Sequence, residues 1–147
     1  LTNEIKVDGA CYCGKVTIDG NVSADKVIAC HCTDCQKFSG APFRAAAVMS
    51  AENVTIAGPM QEYLKVADSG NERVQGFCGN CGSQIFAADP QKTLFMVRTG
   101  CLSQHDQLVP AKHIFGKSAA AWLGSIDHQQ WVTDGPASAE MQPPTKK

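Results

Sequence analysis

The eight cysteines of this chain are unevenly placed. Seven fall into three groups, Cys11-x-Cys13, Cys30-x-Cys32-x-x-Cys35 and Cys78-x-x-Cys81, and Cys101 stands alone. Sulfurs two residues apart seldom reach disulfide geometry with one another, so the spacing argues against a disulfide framework. Thiols grouped in this way read as soft metal ligands, and that reading places the chain in a reducing, cytoplasmic compartment. The first residues, LTNEIKVDG, agree, having neither the basic flank nor the apolar stretch of a secretory leader.

GFCGNCGSQ around Cys78 and Cys81 has the form of a zinc knuckle. Gly79 and Gly82 carry no Cβ where backbone amides must fold toward the sulfurs. On a strand, Cys11 and Cys13 would face the same way, with Gly14 opening a turn beyond them. Cys11, Cys13, Cys78 and Cys81 then make the closed four-thiolate set of a structural zinc. Spacing alone leaves two alternatives. One of the pairs could join the middle cluster instead, or Cys78 and Cys81 could be a redox dithiol, although the β-prone QIFAA that follows is not the helix such a motif needs.

The four-thiolate grouping leaves Cys30, Cys32 and Cys35 as a second metal set. VIAC runs into it as a strand, and a helical turn or two follows from Thr33 to Phe38, with Thr33 or Asp34 as its cap. Three protein ligands and an exchangeable fourth position is the construction of a catalytic zinc. Three thiolates leave such a centre with net charge −1, a weak acid toward water but a soft site suited to a fourth sulfur. The expected chemistry is the making or breaking of a carbon–sulfur bond, with Cys30, Cys32 and Cys35 as the catalytic set. Two other readings stay open: Cys101 fills the fourth corner and both metals are structural, or the triplet is a set of metal-free thiols. His31 is expected to pack or support rather than ligate.

The rest of the chain reads as mainly β. Short runs separated by Gly, Asn, Asp or Pro predict strands over Lys15–Ile18, Val27–Cys30, Phe43–Met49, Val54–Ile56, Glu62–Val66, Arg73–Phe77, Gln84–Ala87 and Thr93–Thr99. Asp19-Gly20, Ala57-Gly58-Pro59, Ser69-Gly70-Asn71 and Ala88-Asp89-Pro90 are the expected turns. Their spacing suggests packed antiparallel sheets. A second helix is expected over Lys117–Leu123, rich in strong helix formers. Residues 1–133 are expected to form one zinc-binding domain, and 134–147, with three prolines and no periodicity, a flexible tail. The net charge of −1 and the scattered basic residues exclude the basic patch a nucleic-acid partner requires. No apolar run approaches the roughly 18 residues of a membrane span, and the longest candidate, APFRAAAVM, is broken by Arg44.

GACYCGKV, ACHCTDCQKFSGAPF, FCGNCGSQIF, and HIF followed by Trp122 together resemble the glutathione-dependent formaldehyde-activating enzyme family, the GFA or centromere-protein-V type domain, over roughly residues 5 to 125. The resemblance implies a β-tent fold like that of the Mss4 family, with two zinc ions per chain. Matched position by position, Cys11, Cys13, Cys78 and Cys81 hold the structural zinc, and Cys30, Cys32 and Cys35 the labile, catalytic one. It also implies glutathione as co-substrate and formaldehyde as the small aldehyde, joined as S-hydroxymethylglutathione by a carbon–sulfur lyase. The chain departs from the family pattern at Gly100-Cys101-Leu102-Ser103, where a Gly-x-Leu-Asp is common.

A thiol such as glutathione carries two carboxylates, so cations are expected beside the open corner. Arg44 and Lys37 follow the triplet in sequence, and Arg73, with Arg98 as a further option, could reach it from other strands. Two rival functions remain: a zinc-stabilised binding module of Mss4 type, and a thiol-redox enzyme of methionine sulfoxide reductase type using Cys101.

Overall fold

The computed structural model describes residues 3–144, so the outermost residues of the expected domain and tail lie outside the described residues. Twelve strands and one α-helix follow in the order β1 (Glu4–Ala10), β2 (Thr17–Ser23), β3 (Val27–Cys30), α1 (Thr33–Ser39), β4 (Arg44–Ser50), β5 (Val54–Ala57), β6 (Met60–Val66), β7 (Glu72–Cys78), β8 (Gln84–Ala88), β9 (Leu94–Arg98), β10 (Lys112–Ile114), β11 (Trp131–Val132) and β12 (Glu140–Met141). A three-stranded sheet runs β1-β2-β5, and a seven-stranded sheet runs β10-β3-β4-β9-β8-β7-β6. All neighbours are antiparallel except β10, which lies parallel to β3. β11 and β12 form a separate short hairpin in the C-terminal stretch. This mainly β, antiparallel architecture with cysteine clusters is compatible with the β-tent expected from the sequence.

Alternation sets which side chains go inside. Val7 of β1 and Ile18 and Val22 of β2 share one buried cluster with Val27, Ala47, Met49, Ile85 and Val97 of the larger sheet. Each such branched side chain contributes roughly 1.5–3 kcal/mol when fully buried. Among the described residues, no helix is long and apolar enough to cross a membrane.

Three local readings of the sequence are corrected. EIKVDGA forms β1, unforeseen because its apolar residues are few, yet it pairs with β2 along its whole length from Glu4↔Ser23 to Ala10↔Thr17. Asp19-Gly20 is not a turn but lies inside β2, the middle strand of its sheet. Glycine is required there by proximity: a Cβ at Gly20 would sit 2.6 Å from the Asn53 carbonyl oxygen. The second expected helix is replaced by two 3₁₀ segments, Gly116–Ser118 and Ala121–His128, with two extended residues, Ala119 and Ala120, between them. With no long apolar face to dock, helix propensity alone does not hold an α-helix there.

Gly20→Val should therefore destabilise the metal-saturated protein by about 1–3 kcal/mol through overpacking. The measurement is the urea midpoint, and an unchanged midpoint would contradict the close approach of β2 to Asn53.

Candidate metal centre

The sulfurs of Cys11, Cys13, Cys78 and Cys81 all lie within 4.8 Å of one another. All eight cysteines are free thiols. The Cys11 and Cys13 sulfurs are 3.5 Å apart and those of Cys13 and Cys78 are 3.8 Å apart. Four sulfurs at the corners of a tetrahedron with zinc–sulfur bonds of about 2.3 Å would be about 3.8 Å apart, so the donor set fits that ion.

The backbone achieves this differently from the strand expected at Cys11 and Cys13. Cys11 follows the last residue of β1, and its carbonyl accepts from the Gly14 amide at 3.0 Å, closing a tight turn with Gly14 at φ +82°. Both sulfurs are thus presented by a turn rather than by one face of a strand. Opposite, the Gly82 amide donates to the Cys78 carbonyl at 2.9 Å, and the Asn80 and Cys81 amides point at the Cys78 sulfur at 3.4 Å. This is the knuckle read from GFCGNCGSQ. The Ser83 hydroxyl, then its amide, hold the Cys81 thiol down to about 5.

The second set, Cys30, Cys32 and Cys35, also has its three sulfurs within 4.8 Å of one another. Cys30 is the last residue of β3 and pairs with Arg44 on β4. Cys32 is the N-cap of α1, its sulfur accepting from the Cys35 amide at 3.2 Å. The cap expected at Thr33 or Asp34 is therefore one or two residues earlier, because a sulfur takes the place usually held by a Ser or Asp oxygen. Cys35 follows in the first turn. Strand end, cap and helix turn thus bring three sulfurs together within six residues of chain.

Arg44 adjoins the set. It is buried, its Nη2 donates to the Cys35 sulfur at 3.2 Å, and its Nη1 donates to Gln75 Oε1 at 2.9 Å and Gln84 Oε1 at 3.2 Å. Burial pushes the Cys35 thiol up, but hydrogen bonds from Cys30 and Cys32 and the Arg44 charge outweigh it and leave the pKa below its ordinary value. Burial pushes Cys30 up to about 12. His31 is not among the gathered donors. It is buried with Nε2 2.8 Å from His113 Nδ1 and its ring against Phe43. Cys101 does not join the triplet either, its sulfur donating to the Gln84 carbonyl at 3.3 Å.

A cavity of about 530 Å³ opens beside the triplet, within the usual range for small-molecule sites. Cys30, Cys32, Cys35, Arg44, Arg73 and Arg98 line it. Lys37 does not: it stands exposed on α1. Lys65 and Asp34 form a 2.6 Å ion pair at the cavity edge; the sequence offers Asp34 only as a cap and gives no sign of Lys65. Nothing local signals that pair, since it joins α1 to β6 some thirty residues on.

Residues 6–118 match the family described as glutathione-dependent formaldehyde-activating enzyme. A search of curated proteins finds no significant match. Among solved structures, a structural-genomics crystal structure of a Rhodobacter sphaeroides protein superposes with a TM-score of 0.55 at 17% identity, over 72% of this chain and 98% of that one. At that identity the likeness concerns the fold.

Acid should remove metal from the two sets in sequence. A thiol with a raised pKa lets protons compete with metal at higher pH, whereas one already ionised yields only in acid. Cys30 at about 12 and the three-ligand count favour early loss from the triplet, and Cys81 at about 5 with four ligands favours retention. Zinc per chain after dialysis at falling pH should step down first with loss of the triplet's ion, assigned by comparison with a Cys30→Ser variant. A single step from both sets would contradict the assignment.

Proposed function

The chain belongs to the glutathione-dependent formaldehyde-activating enzyme family, and on that premise we propose that it is a carbon–sulfur lyase joining a thiol such as glutathione to a small aldehyde, or cleaving the product. The observation that carries this reading is the set of three sulfurs, Cys30, Cys32 and Cys35, at the wall of a cavity large enough for a tripeptide's reactive end. They would hold one zinc, and Cys11, Cys13, Cys78 and Cys81 a second, structural one. Zinc at the triplet would favour ionisation of a sulfur arriving at its fourth position while leaving that sulfur nucleophilic.

In the forward direction the thiol sulfur bonds to the aldehyde carbon, the carbonyl π bond opens, and the thiol proton ends on the former carbonyl oxygen. The chain's own part is to orient and to balance charge. Arg44, fixed by Gln75 and Gln84, places a cation against Cys35. Such a buried, pre-oriented charge is worth far more than the same cation in water. Arg73 lines the same cavity, exposed enough to meet a ligand from solvent and to supply charge for the thiol's carboxylates. Ile28, Met96 and Phe115 give the cavity an apolar side. The reaction would proceed in a reducing, cytoplasmic setting where these thiols persist.

Cys32→Ser tests the reading, because serine keeps the cap of α1 and removes the soft donor. Turnover of glutathione with formaldehyde should fall by about a hundredfold or more, with the melting profile kept and one zinc per chain remaining. Undiminished turnover would rule out the triplet as the catalytic centre, and no turnover by the unaltered zinc-loaded protein would rule out the lyase and leave the binding-module alternative.

A further inference from the structure

Two arginines meet on one face of adjacent strands at the inner side of the cavity. Arg98 of β9 pairs with Ala46 of β4, and Arg44 lies two residues along β4 on the same face. Their exposures are 6% for Arg44 and 9% for Arg98. A buried guanidinium is costly unless a counter-charge and acceptors accompany it. For Arg44 they are present: Cys35 at 3.2 Å, Gln75 and Gln84. Arg98 has none. Its Nε and Nη2 are buried without an acceptor, as is Arg44 Nε, and neither arginine pairs with a carboxylate among the described residues.

We propose that Arg98, backed by Arg44, is the anchor of a carboxylate-binding subsite in this cavity, and that the molecule bound beside the triplet presents a carboxylate to it. The charge balance favours this. The thiolates of Cys30, Cys32 and Cys35 around a divalent ion would leave one negative charge, which Arg44 meets through Cys35, and Arg98 is left with no carboxylate partner. Burial first, then the neighbouring Arg44 charge, draw the Arg98 pKa down only to about 10, so it stays cationic at neutral pH. Side chains around it offer no acid: the acids at the cavity edge are Asp34, engaged by Lys65, and Asp68 on the turn between β6 and β7. A carboxylate supplies both the missing charge and acceptors for the guanidinium. Formaldehyde has no such group. The carboxylate therefore belongs either to the thiol, as in glutathione, or to an aldehyde that is itself an acid, such as glyoxylate. The subsite rests on the thiol–aldehyde reading only for the choice between these sources.

Isothermal titration of the metal-loaded full-length protein separates them. The probes are glutathione and its carboxyl ester, glyoxylate and its methyl ester, and 2-mercaptoethanol. A charge-assisted contact of this kind should make the acid bind about tenfold to a hundredfold more tightly than its ester. Arg98→Gln should erase that preference and leave 2-mercaptoethanol binding unchanged, and Arg98→Lys should keep part of it. A preference confined to glutathione assigns the carboxylate to the thiol, and one confined to glyoxylate assigns it to the aldehyde. Esters binding as tightly as acids in the unaltered protein would overturn the proposal without any variant having to fold. So would equal weakening of glutathione and 2-mercaptoethanol by Arg98→Gln, which would make Arg98 a counter-charge to the bound sulfur. These are binding readouts, so a protein that binds the acids by this rule yet turns over no thiol adduct would refute the lyase and not the subsite.

Discussion

Four sulfurs within 4.8 Å of one another join the turn after β1 to the turn after β7. The first belongs to the three-stranded sheet's end of the molecule and the second to the seven-stranded sheet. Closing so long a stretch of chain carries an entropy cost that grows slowly with length, and a bound metal offsets it in one contact. Around that junction the core has only to fill space: Cys11 and Cys78 are themselves buried among Val7, Ile18, Ile85 and Leu102. An ion held there would make metal loading and packing one cooperative event, and its binding free energy would also hold the two sheets together.

The second centre is organised by a charge rather than by hydrophobic contact. Arg44 interrupts an apolar strand, and the structure gives it a partner on α1, one on β7 and one on β8, with its guanidinium over the Phe38 ring at 5.6 Å. Gln84 completes the arrangement by donating to the Phe38 carbonyl. Two amide side chains thus fix the direction of one cation. A guanidinium with this many fixed acceptors has little freedom to rotate away, so the charge stays against Cys35 whatever enters the cavity.

What could be read in the sequence was what neighbours in sequence can encode. The knuckle at Cys78 and Cys81, the approach of VIAC to the triplet, and the oddity of Arg44 in APFRAAAV are all local signals. The partners of these features are not. The alignment of Arg98 with Ala46 depends on the register of β4 with β9, and the Lys65–Asp34 pair depends on how α1 packs over β6. Gly20 misled for the same reason. Asp-Gly is a turn pair by local propensity, but Asn53 comes so close from β5's side of the sheet that glycine is demanded in mid-strand. Cys11 and Cys13 show the converse: spacing offered their grouping with Cys78 and Cys81, and the four sulfurs do gather, while the backbone that presents them is a turn and not a strand.

The sulfur of Cys32 serves two purposes that chemistry can separate. One is to end a helix, which an oxygen does equally well, and the other is to be a soft donor, which an oxygen does poorly. Sequence drift at this position is therefore asymmetric. A lineage that exchanged Cys32 for serine or aspartate would lose the triplet's third sulfur yet keep α1 seated, with β3, β4 and the four-sulfur junction untouched. Such a descendant would inherit the shape and the outer cavity without the centre inside it. In this architecture the scaffold can outlast the chemistry by a single codon.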